Sequence, residues 1–511
     1  MGTILHYSFL CFAAFCFMSG FIPFAPQSFY RLAGMHPWIH RVAILGITLA
    51  ALIWFFARKK PAWIASRFSR VPQFAEWLLF AGTAVLWSYA AVSRYQAFKA
   101  GFDMAIFTQA VWNTAHGYFL YSSIKGGICL LGDHFSPFLA LFALPYRIWP
   151  VPECLLIFQA VLAASSIFPL YHVARRQLAN DAWALGIVLA FTLYLPLRNA
   201  VRFDFHPEVA AVPLLIWAYY FLIASRLRLA SLFLGLALLT KENMALVTFA
   251  FGFYALFKSQ KGFGLFWMVL SPVYFVMATR FWIPAFSSQE YFYLSGNFMA
   301  WKEEGGAAFF KYLLNLDSFL YLVKIFLPVG FLSFFNFSFV LALPGLAQNL
   351  GSRNLATRSI FFQYTLLLTP FVFLSATESL RKIYPKKWGI FYLLLSSVLM
   401  AGVSDFYVAQ GFRREITPHL EAVQKDFALI PAKASVRTHE FFAPHLANRK
   451  ELHIFENRHP REGGSPKALQ ADYVVLDQSL LTPGVQDLLD SVRQTHDLIL
   501  NHDGFMIFKR H

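Results

Sequence analysis

The stretch Gly101–Pro137 reads GFDMAIFTQAVWNTAHGYFLYSSIKGGICLLGDHFSP and lies between two long apolar runs. It contains two acids, Asp103 and Asp133, in a chain of which only 14% of the residues are charged. An ionisable side chain close to a bilayer is costly unless it is paired or reaches water, so its presence indicates a functional site. This stretch is therefore the first place to look for chemistry.

The composition is that of a polytopic membrane protein. Of the 511 residues, 58% are hydrophobic and 18% are aromatic, which is more apolar surface than one water-soluble core could bury. The net charge of +16 comes from short Lys and Arg clusters between apolar runs, as in the cytoplasmic loops of membrane proteins. We therefore expect membrane lipid, and no nucleic acid, as a partner; the sequence favours no particular oligomeric state.

The apolar runs predict an all-α polytopic protein of about thirteen transmembrane helices, with the N-terminus cytoplasmic and the C-terminus outside. A small α/β domain outside the membrane is predicted at the C-terminal end. There the short apolar runs ASVRTH, LHIF and ADYVVLD and a closing strand near GFMIFK alternate with helical patterns near Ile416–Leu429 and Val485–Thr495. The predicted parts are residues 1–72 (two spans and a cytoplasmic loop), 73–404 (the transmembrane core, with a first outer loop at 95–152) and 405–511 (the α/β domain).

Three apolar runs need a particular interpretation. The run 229–257 has basic residues at both ends and the pair Lys241-Glu242 midway, which predicts a hairpin of short helices with this pair at its outer apex. The run 318–349 is predicted to be two helices with a break near Asn336. Residues 135–149 are predicted to lie in the outer interface of the membrane. If they crossed the membrane, the basic cluster at Arg175 would lie on the outer side, against the positive-inside rule.

Asp103 stands at the start of a helical pattern. Apolar residues recur at helical spacing as far as Trp112 and predict a short amphipathic helix at the membrane interface. Asp103 could be only the N-cap of this helix, or it could be a functional carboxylate.

The segment GDHFSP, Gly132–Pro137, places Asp133 beside His134. A carboxylate next to an imidazole can bind a metal, help to orient a phosphate or act as an acid–base pair. The alternative is an ordinary turn, since Gly-Asp is common turn chemistry.

The segment FDFHPE contains Asp204, His206 and Glu208. In an extended segment these three residues lie on one side, a set that suits a divalent cation or proton transfer. Pro207 is suited to the first turn of the next helix, so helix capping is the alternative.

Lys241 and Glu242 can be a mutual ion pair, or Lys241 can point at a phosphate on the outer side. Arg358 and Tyr364, at the outer end of a later span, can contact the same substrate or can simply anchor the interface.

These segments resemble a widespread family of prokaryotic membrane proteins of unknown function. The family is marked, in order, by FDxxIFxQxxW, GDHFSP, DFHPE and TKE, which are found here at Phe102–Trp112, Gly132–Pro137, Asp204–Glu208 and Thr240–Glu242. The resemblance extends from about Val92 to the end of the chain.

That family in turn looks like the glycosyltransferase-C superfamily, membrane enzymes that take a sugar from a polyprenyl-phosphate or polyprenyl-pyrophosphate donor. In the superfamily an acid in the first outer loop is the catalytic or metal-binding carboxylate, and Asp103 occupies the matching place. We therefore predict Asp103 as the catalytic base; Asp133, His134, Lys241, Glu242, Arg358 and Tyr364 as substrate-binding residues; and Asp204, His206 and Glu208 as ligands of a divalent metal, Mg²⁺ or Mn²⁺.

The predicted function is a glycosyltransferase in the prokaryotic cytoplasmic (inner) membrane. It would move a sugar from a polyprenyl-phosphate-linked donor to an acceptor on the outer face. The alternative is an ion- or proton-coupled transporter or a lipid flippase, in which the same acids form an ion path. A membrane scaffold whose outer tail binds a partner is a third, non-catalytic possibility.

Overall fold

The structure is a computed structural model that describes residues 74–298, 305, 310, 313–382, 389–398, 417–455, 471–478 and 485–511. The predicted N-terminal spans, in residues 1–72, lie outside the described residues. So does the beginning of the predicted C-terminal domain, at residues 405–416.

Helices dominate the part of the chain that precedes the C-terminal region. They are Ala75–Gln96, Phe102–Ala115, Ala143–Ile148, Pro152–Ser165, Ile167–Leu178, Asp181–Leu193, Leu195–Arg202, Ala211–Ile223, Leu227–Leu238, Met244–Phe257, Lys261–Met277, Ile283–Ser287, Phe292–Phe298, Leu316–Phe326, Leu343–Gly351, Thr369–Lys382 and Gly389–Val398. Short 3₁₀ segments precede several of them, such as Pro137–Phe142, Pro207–Ala210, Phe337–Ala342 and Gln363–Leu367.

Within the described residues, three helices are long and apolar enough to cross a membrane: Ala75–Gln96, Pro152–Leu178 and Lys261–Ser287. A pair bent by 50°, Asp181–Leu193 with Leu195–Arg202, can form a fourth span. The predicted count of about thirteen is not confirmed. The other apolar helices have only 10–17 residues, and at 1.5 Å per residue most of them are too short to cross a hydrocarbon core of about 30 Å alone.

The run 229–257 is a helical hairpin, as the sequence predicted. Its two helices, Leu227–Leu238 and Met244–Phe257, are joined by a turn that contains Lys241 and Glu242. The charged pair interrupts the apolar run because it occupies the turn, where the backbone is no longer helical.

The other two unusual runs also fold as predicted. The run 318–349 breaks at Asn336, whose side chain accepts a hydrogen bond from the Ser338 amide (3.1 Å) and starts a new 3₁₀ segment. The segment 135–149 forms a 3₁₀ turn followed by the six-residue helix Ala143–Ile148, which is far too short to span a bilayer.

The basic clusters between helices meet at one end of the bundle. Arg176 donates to the Ile223 carbonyl (3.5 Å), and Arg381 donates to Gln177 (3.4 Å). Because the apolar helix Pro207–Ile223 ends here, the loop that contains His206 lies at the opposite end.

The C-terminal region is a small α/β unit. Its helices are Pro418–Asp426, Ala443–Leu446 and Val485–Arg493. Counting from the hairpin β1 (Tyr121–Ser122) and β2 (Ile128–Cys129) in the first outer loop, its strands are β3 Val436–Thr438, β4 Leu452–Ile454, β5 Tyr473–Asp477, β6 His496–His502 and β7 Phe505–Arg510. The sheet order is β4-β3-β5-β7-β6, with β3 parallel to β4 and β5 and with β7 antiparallel to β5 and β6.

Strand β6 is the strand that the sequence analysis missed. Only its first residue, His496, is buried, because β6 lies at the edge of the sheet. An edge strand with exposed side chains lacks the alternation of apolar and polar residues on which strand prediction depends. The other four strands of this sheet coincide with predicted apolar runs.

The C-terminal sheet shares a hydrophobic core with the first outer loop. One face of the sheet buries Val474 and Phe508 against the helix Val485–Arg493. The other face buries Val475 in a cluster that includes Ile124 of the outer loop. The C-terminal unit and the loop that contains Asp103 therefore fold against each other.

Gln109 connects the two by hydrogen bonds. Its side chain is fully buried; the amide nitrogen donates to Ser123 Oγ (2.8 Å) and to the Lys450 carbonyl (2.9 Å), and the oxygen accepts from Ser122 Oγ (3.0 Å). One side chain thus links the helix Phe102–Ala115, hereafter the Asp103 helix, to the β1–β2 hairpin and to the C-terminal unit.

Asp204 fixes the other end of the Asp103 helix. Its carboxylate accepts hydrogen bonds from the amides of Gly101 (3.2 Å) and Met104 (3.3 Å), which are free at a helix start. It also pairs with Arg94 at 2.6 Å, and both side chains are buried. The capping role considered for Asp103 therefore belongs to Asp204.

We expect Asp204→Ala to destabilise the protein strongly. The change leaves Arg94 buried without this carboxylate, and losing one partner of a buried ion pair costs about 3–5 kcal/mol. Thermal unfolding of the detergent-purified chain measures the effect, and Asp204→Asn, which keeps an acceptor for the helix amides, should lose less. The matched control is Asp497→Ala, whose side chain is 80% exposed. An unchanged melting temperature for Asp204→Ala would contradict this role.

We expect Gln109→Leu to loosen the C-terminal unit. Each buried polar group that loses its partner costs about 1–3 kcal/mol, so the interface should open roughly tenfold more often and proteolysis between the two parts should accelerate in proportion. Limited proteolysis measures the rate, with Gln424→Leu on an exposed helix position as the control. Equal cleavage rates in the two variants would show that Gln109 does not hold the interface.

Candidate active site

The outer end of the bundle contains a cavity of about 720 Å³, within the usual range for small-molecule sites. Segments far apart in the sequence form its walls: the first outer loop, the loop around His206, the hairpin turn at Lys241 and the stretch 291–367. Its polar lining residues are Asp103, Lys125, Asp133, His134, Ser136, His206, Glu208, Lys241, Glu242, Asn243, Tyr291, Tyr293, Asn297, Gln348, Ser352, Asn354, Thr357, Gln363 and Tyr364.

Asp103 faces this cavity in contact with His206. The carboxylate Oδ2 lies 3.2 Å from His206 Nε2, and the Asp103 side chain is 35% exposed while that of His206 is 3% exposed. The second ring nitrogen, Nδ1, lies 3.0 Å from the Asp204 carbonyl oxygen, which can only accept. Nδ1 therefore carries a hydrogen, and a second proton lies between Nε2 and Asp103.

The two groups shift each other's pKa in opposite directions. Burial alone would raise the pKa of Asp103. The hydrogen bond from His206 and the charges of His206, Lys125 and Lys241 outweigh burial, so the pKa of Asp103 is lower than its ordinary value. Burial alone would lower the pKa of His206. The carboxylate of Asp103, and to a smaller extent that of Glu208, outweighs burial, so the pKa of His206 is raised. Each group therefore favours the charged form of the other, the carboxylate of Asp103 and the imidazolium of His206.

Gln159 holds His206 in place. Its side-chain oxygen accepts a hydrogen bond from the His206 backbone amide (2.7 Å), and its nitrogen donates to the carbonyls of Val201 (2.9 Å) and Asp204 (3.0 Å). The sequence analysis missed Gln159. A polar amide side chain inside the apolar run 153–173 was the feature that could have indicated it.

Lys241 and Glu242, adjacent in sequence, pair with different partners. Lys241 Nζ lies 2.5 Å from Glu208, so the predicted mutual ion pair is replaced by a pair across the cavity wall. Burial works to lower the pKa of Lys241, but Glu208 and then Glu242 outweigh it, and the pKa is raised.

Glu242 is the acceptor for three groups. His134 Nδ1 (2.8 Å), the Phe135 amide (2.9 Å) and the Tyr291 hydroxyl (2.7 Å) all contact its carboxylate. Burial works to raise the pKa of Glu242, but His134, Lys241 and Tyr291 lower it to about 2. Glu242 therefore stays ionised and ties the first outer loop to the hairpin turn.

Asp133 pairs with a cation that the sequence analysis overlooked. Lys125 Nζ lies 3.0 Å from Asp133, and the Tyr293 hydroxyl donates to the same carboxylate at 3.2 Å. Lys125 follows the β1 strand in the turn before β2. Its position between the two acids of the opening stretch was the signal that could have indicated it.

Two predicted site residues lie outside the cavity lining. Asp204 is buried against Arg94, and Arg358 donates to the carbonyls of Leu350 (2.9 Å) and Ser352 (3.0 Å). Asp204 caps the Asp103 helix and Arg358 shapes a loop, while Tyr364 lines the cavity as predicted.

The predicted metal ligands do not converge. Asp204 points to Arg94, His206 to Asp103 and Glu208 to Lys241, because the segment is not extended throughout: a 3₁₀ turn begins at Pro207. Among the described residues, no three His, Cys, Asp or Glu side chains come close enough together to hold a metal ion.

The cavity lining also includes apolar side chains. Leu246 and Phe249 on the helix Met244–Phe257 line the cavity and are 40% and 39% exposed. They give the cavity an apolar part beside its charged groups.

Two solved structures share this fold. The crystal structure of ArnT from Cupriavidus metallidurans bound to undecaprenyl phosphate matches with a TM-score of 0.56 at 12% identity, over 86% of this chain and 98% of that one. The apo state of the same protein matches with a TM-score of 0.52 at 12% identity, over 84% and 97% of the two chains. At 12% identity these matches show a shared fold.

No curated protein matches the sequence. The profile of one family, described as "Predicted membrane protein (DUF2079)", matches residues 94–506, nearly the whole range over which the sequence motifs predicted a family resemblance. The match covers well over half of the chain, and the chain therefore belongs to the DUF2079 family of predicted membrane proteins.

Proposed function

We propose that the protein is a membrane glycosyltransferase that transfers a sugar from a polyprenyl-phosphate-linked donor to an acceptor hydroxyl. The observation that carries the proposal is the Asp103–His206 pair, a partly exposed carboxylate held by a buried imidazole in a cavity that also has apolar lining. The likeness to ArnT, solved with undecaprenyl phosphate, supports the same class of lipid carrier.

In the proposed step, Asp103 removes the proton of the acceptor hydroxyl. The acceptor oxygen then forms a bond to the anomeric carbon of the sugar, and the bond from that carbon to the phosphate oxygen breaks. The electron pair of the broken bond stays on the phosphate, while the proton stays on Asp103. Charge is conserved inside the cavity, because the phosphate gains one negative charge as Asp103 loses one.

Lys241 is placed to stabilise the phosphate as this charge develops. Its ammonium group has three donor hydrogens, and the contact with Glu208 uses one of them. Preorganised donors at the site of developing charge are among the largest contributions to catalysis in dry cavities. Lys125 supplies a second ammonium group to the same cavity.

The lipid part of the donor suits the apolar part of the cavity. A polyprenyl chain is apolar and can contact Leu246 and Phe249 while its phosphate reaches the charged groups. Because the cavity lies at the end of the bundle opposite the basic clusters, we place transfer on the outer face of the membrane.

A divalent metal, Mg²⁺ or Mn²⁺, has no step in this mechanism. The four acids that line the cavity each have a cationic or imidazole partner, and no carboxylate set of the kind that Mg²⁺ prefers is formed by the described residues. The ammonium groups of the two lysines neutralise the phosphate instead.

We expect Asp103→Asn to reduce transfer by about a hundred- to ten-thousand-fold, which is the usual contribution of a positioned base. The assay follows release of farnesyl phosphate from synthetic farnesyl-phosphate sugars by the detergent-purified chain, with envelope extract as the acceptor source. Asp497→Asn, at an exposed position, is the matched control, and melting temperatures report folding. Full activity in Asp103→Asn would refute the assignment of the base.

The same assay separates the transferase from the alternative transporter or flippase. Detergent solution contains no ion gradient, so donor consumption there requires no coupled transport. Failure of the wild-type chain to consume any donor, together with gradient-dependent movement of lipid in vesicles, would favour the alternative.

We expect activity to fall at alkaline pH, with a midpoint above the ordinary His pKa of about 6.5, because the pKa of His206 is raised. Loss of its Nε2 proton would remove the hydrogen bond that holds the Asp103 carboxylate. The contribution of His206 to folding follows the same direction, being complete below about pH 6.5 and lost as pH rises through the raised pKa. His206→Gln should lower the rate and remove this alkaline limb; an unchanged profile would contradict the role.

A further inference from the structure

The cavity has two walls of different chemistry. Its charged residues all come from positions 103–242, whereas its described lining residues from 291 to 367 include no charged side chain. Together with the neighbouring Asn243, this second side presents the side-chain amides of Asn243, Asn297, Gln348, Asn354 and Gln363, which we call the amide wall.

The amide wall is held by its own hydrogen bonds. Asn243 donates to Gln348 (3.0 Å), and Asn354 uses its oxygen to accept from the Ala356 amide (3.0 Å). The Arg353 amide donates to the Asn297 carbonyl (3.0 Å), which joins two segments of the wall. Groups fixed in this way lose little conformational entropy when a ligand binds.

Part of the hydrogen-bonding capacity of the wall is unused. Asn243 Oδ1 and Gln363 Oε1 are buried and have no hydrogen-bond partner among the described residues. A side-chain amide offers both an acceptor and two donors, which suits neighbouring hydroxyl groups on a sugar ring.

Each acid that lines the cavity already has a basic partner: Asp103 has His206, Asp133 has Lys125, Glu208 has Lys241 and Glu242 has His134. A charged substituent placed against the amide wall would lose its hydration, and the described residues of that wall offer it no opposite charge. Burying such a charge is costly. An uncharged hydroxyl meets no such cost.

We propose that the amide wall is the subsite for the donor's sugar and that this sugar is uncharged, neither an amino sugar nor a uronic acid. This inference rests on the proposed function, since it assigns the phosphate to Lys241 and the sugar to the amide wall. Tyr364, next to Gln363 in the sequence, also lines the cavity.

Equilibrium binding to the detergent-purified full chain tests the proposal. The probes are farnesyl phosphate and its esters with glucose, glucosamine and glucuronic acid, with the equivalent galactose and mannose series beside them. In at least one series we expect the uncharged sugar to bind at least tenfold tighter than farnesyl phosphate, and both charged members to bind at least tenfold weaker than the uncharged one.

Two variants locate the subsite. Gln348→Leu and Gln363→Leu should abolish the tenfold gain from the sugar while leaving the affinity for farnesyl phosphate within twofold of the wild type. Gln424→Leu, the same change at an exposed position, should keep the gain. Unchanged melting temperatures identify variants that remain folded.

The outcomes distinguish failure of the sugar-subsite inference from failure of the proposed function. Preference for a charged sugar, or an undiminished gain in both cavity variants, overturns the inference and leaves the transferase in place. The donor assignment is also overturned if the variants weaken binding of a free methyl glycoside and leave the donor esters unchanged, since the wall would then serve the acceptor. If neither farnesyl phosphate nor any ester binds, the proposed function and the inference both fall.

Discussion

The pairing of each acid in the cavity with a basic side chain is the constraint on which the rest of the site depends. Eight ionisable side chains lie close together at the end of an apolar bundle, and they do so as four pairs. An unpaired charge in such surroundings would cost several kcal/mol, and a pair survives only with good geometry and further hydrogen bonds. The backbone and tyrosine contacts to Glu242 and the Gln159 contacts to His206 supply those bonds.

The same constraint explains which parts of the site the sequence could predict. Charged residues in an apolar chain are conspicuous, so Asp103, Asp133, His206, Glu208 and Lys241 were all identified before the structure. The positive-inside rule placed their loops on one side of the membrane, and the cavity does bring these residues together. Most of their partners could not be predicted, because three of the four pairs join segments that are 33 to 108 positions apart. Lys125 is the exception, since it lies close to Asp133 in the sequence.

Other features left no sequence signal. The metal-ligand prediction assumed that residues 204–208 are extended, but a 3₁₀ turn begins at Pro207. Asp204 forms an ion pair with Arg94 instead and caps the start of the Asp103 helix. The amide wall consists of neutral side chains at unrelated positions, so no local pattern marks it. The count of about thirteen spans stays a prediction. The described residues contain three helices long enough to cross alone, or four spans with the bent pair, and hydropathy reports how apolar a run is but not how long its helix is.

The contact that Gln109 makes with Lys450 joins residues that are 341 positions apart. During synthesis the Asp103 helix emerges from the ribosome long before the segment that completes its hydrogen bonds. Until Lys450 has been synthesised, the Gln109 side chain can bond only to Ser122 and Ser123 of the first outer loop. Contacts of such long range also slow folding. A chain that ended before Lys450 would therefore keep the Asp103 helix but would lack the hydrogen bond from Gln109 to the C-terminal unit.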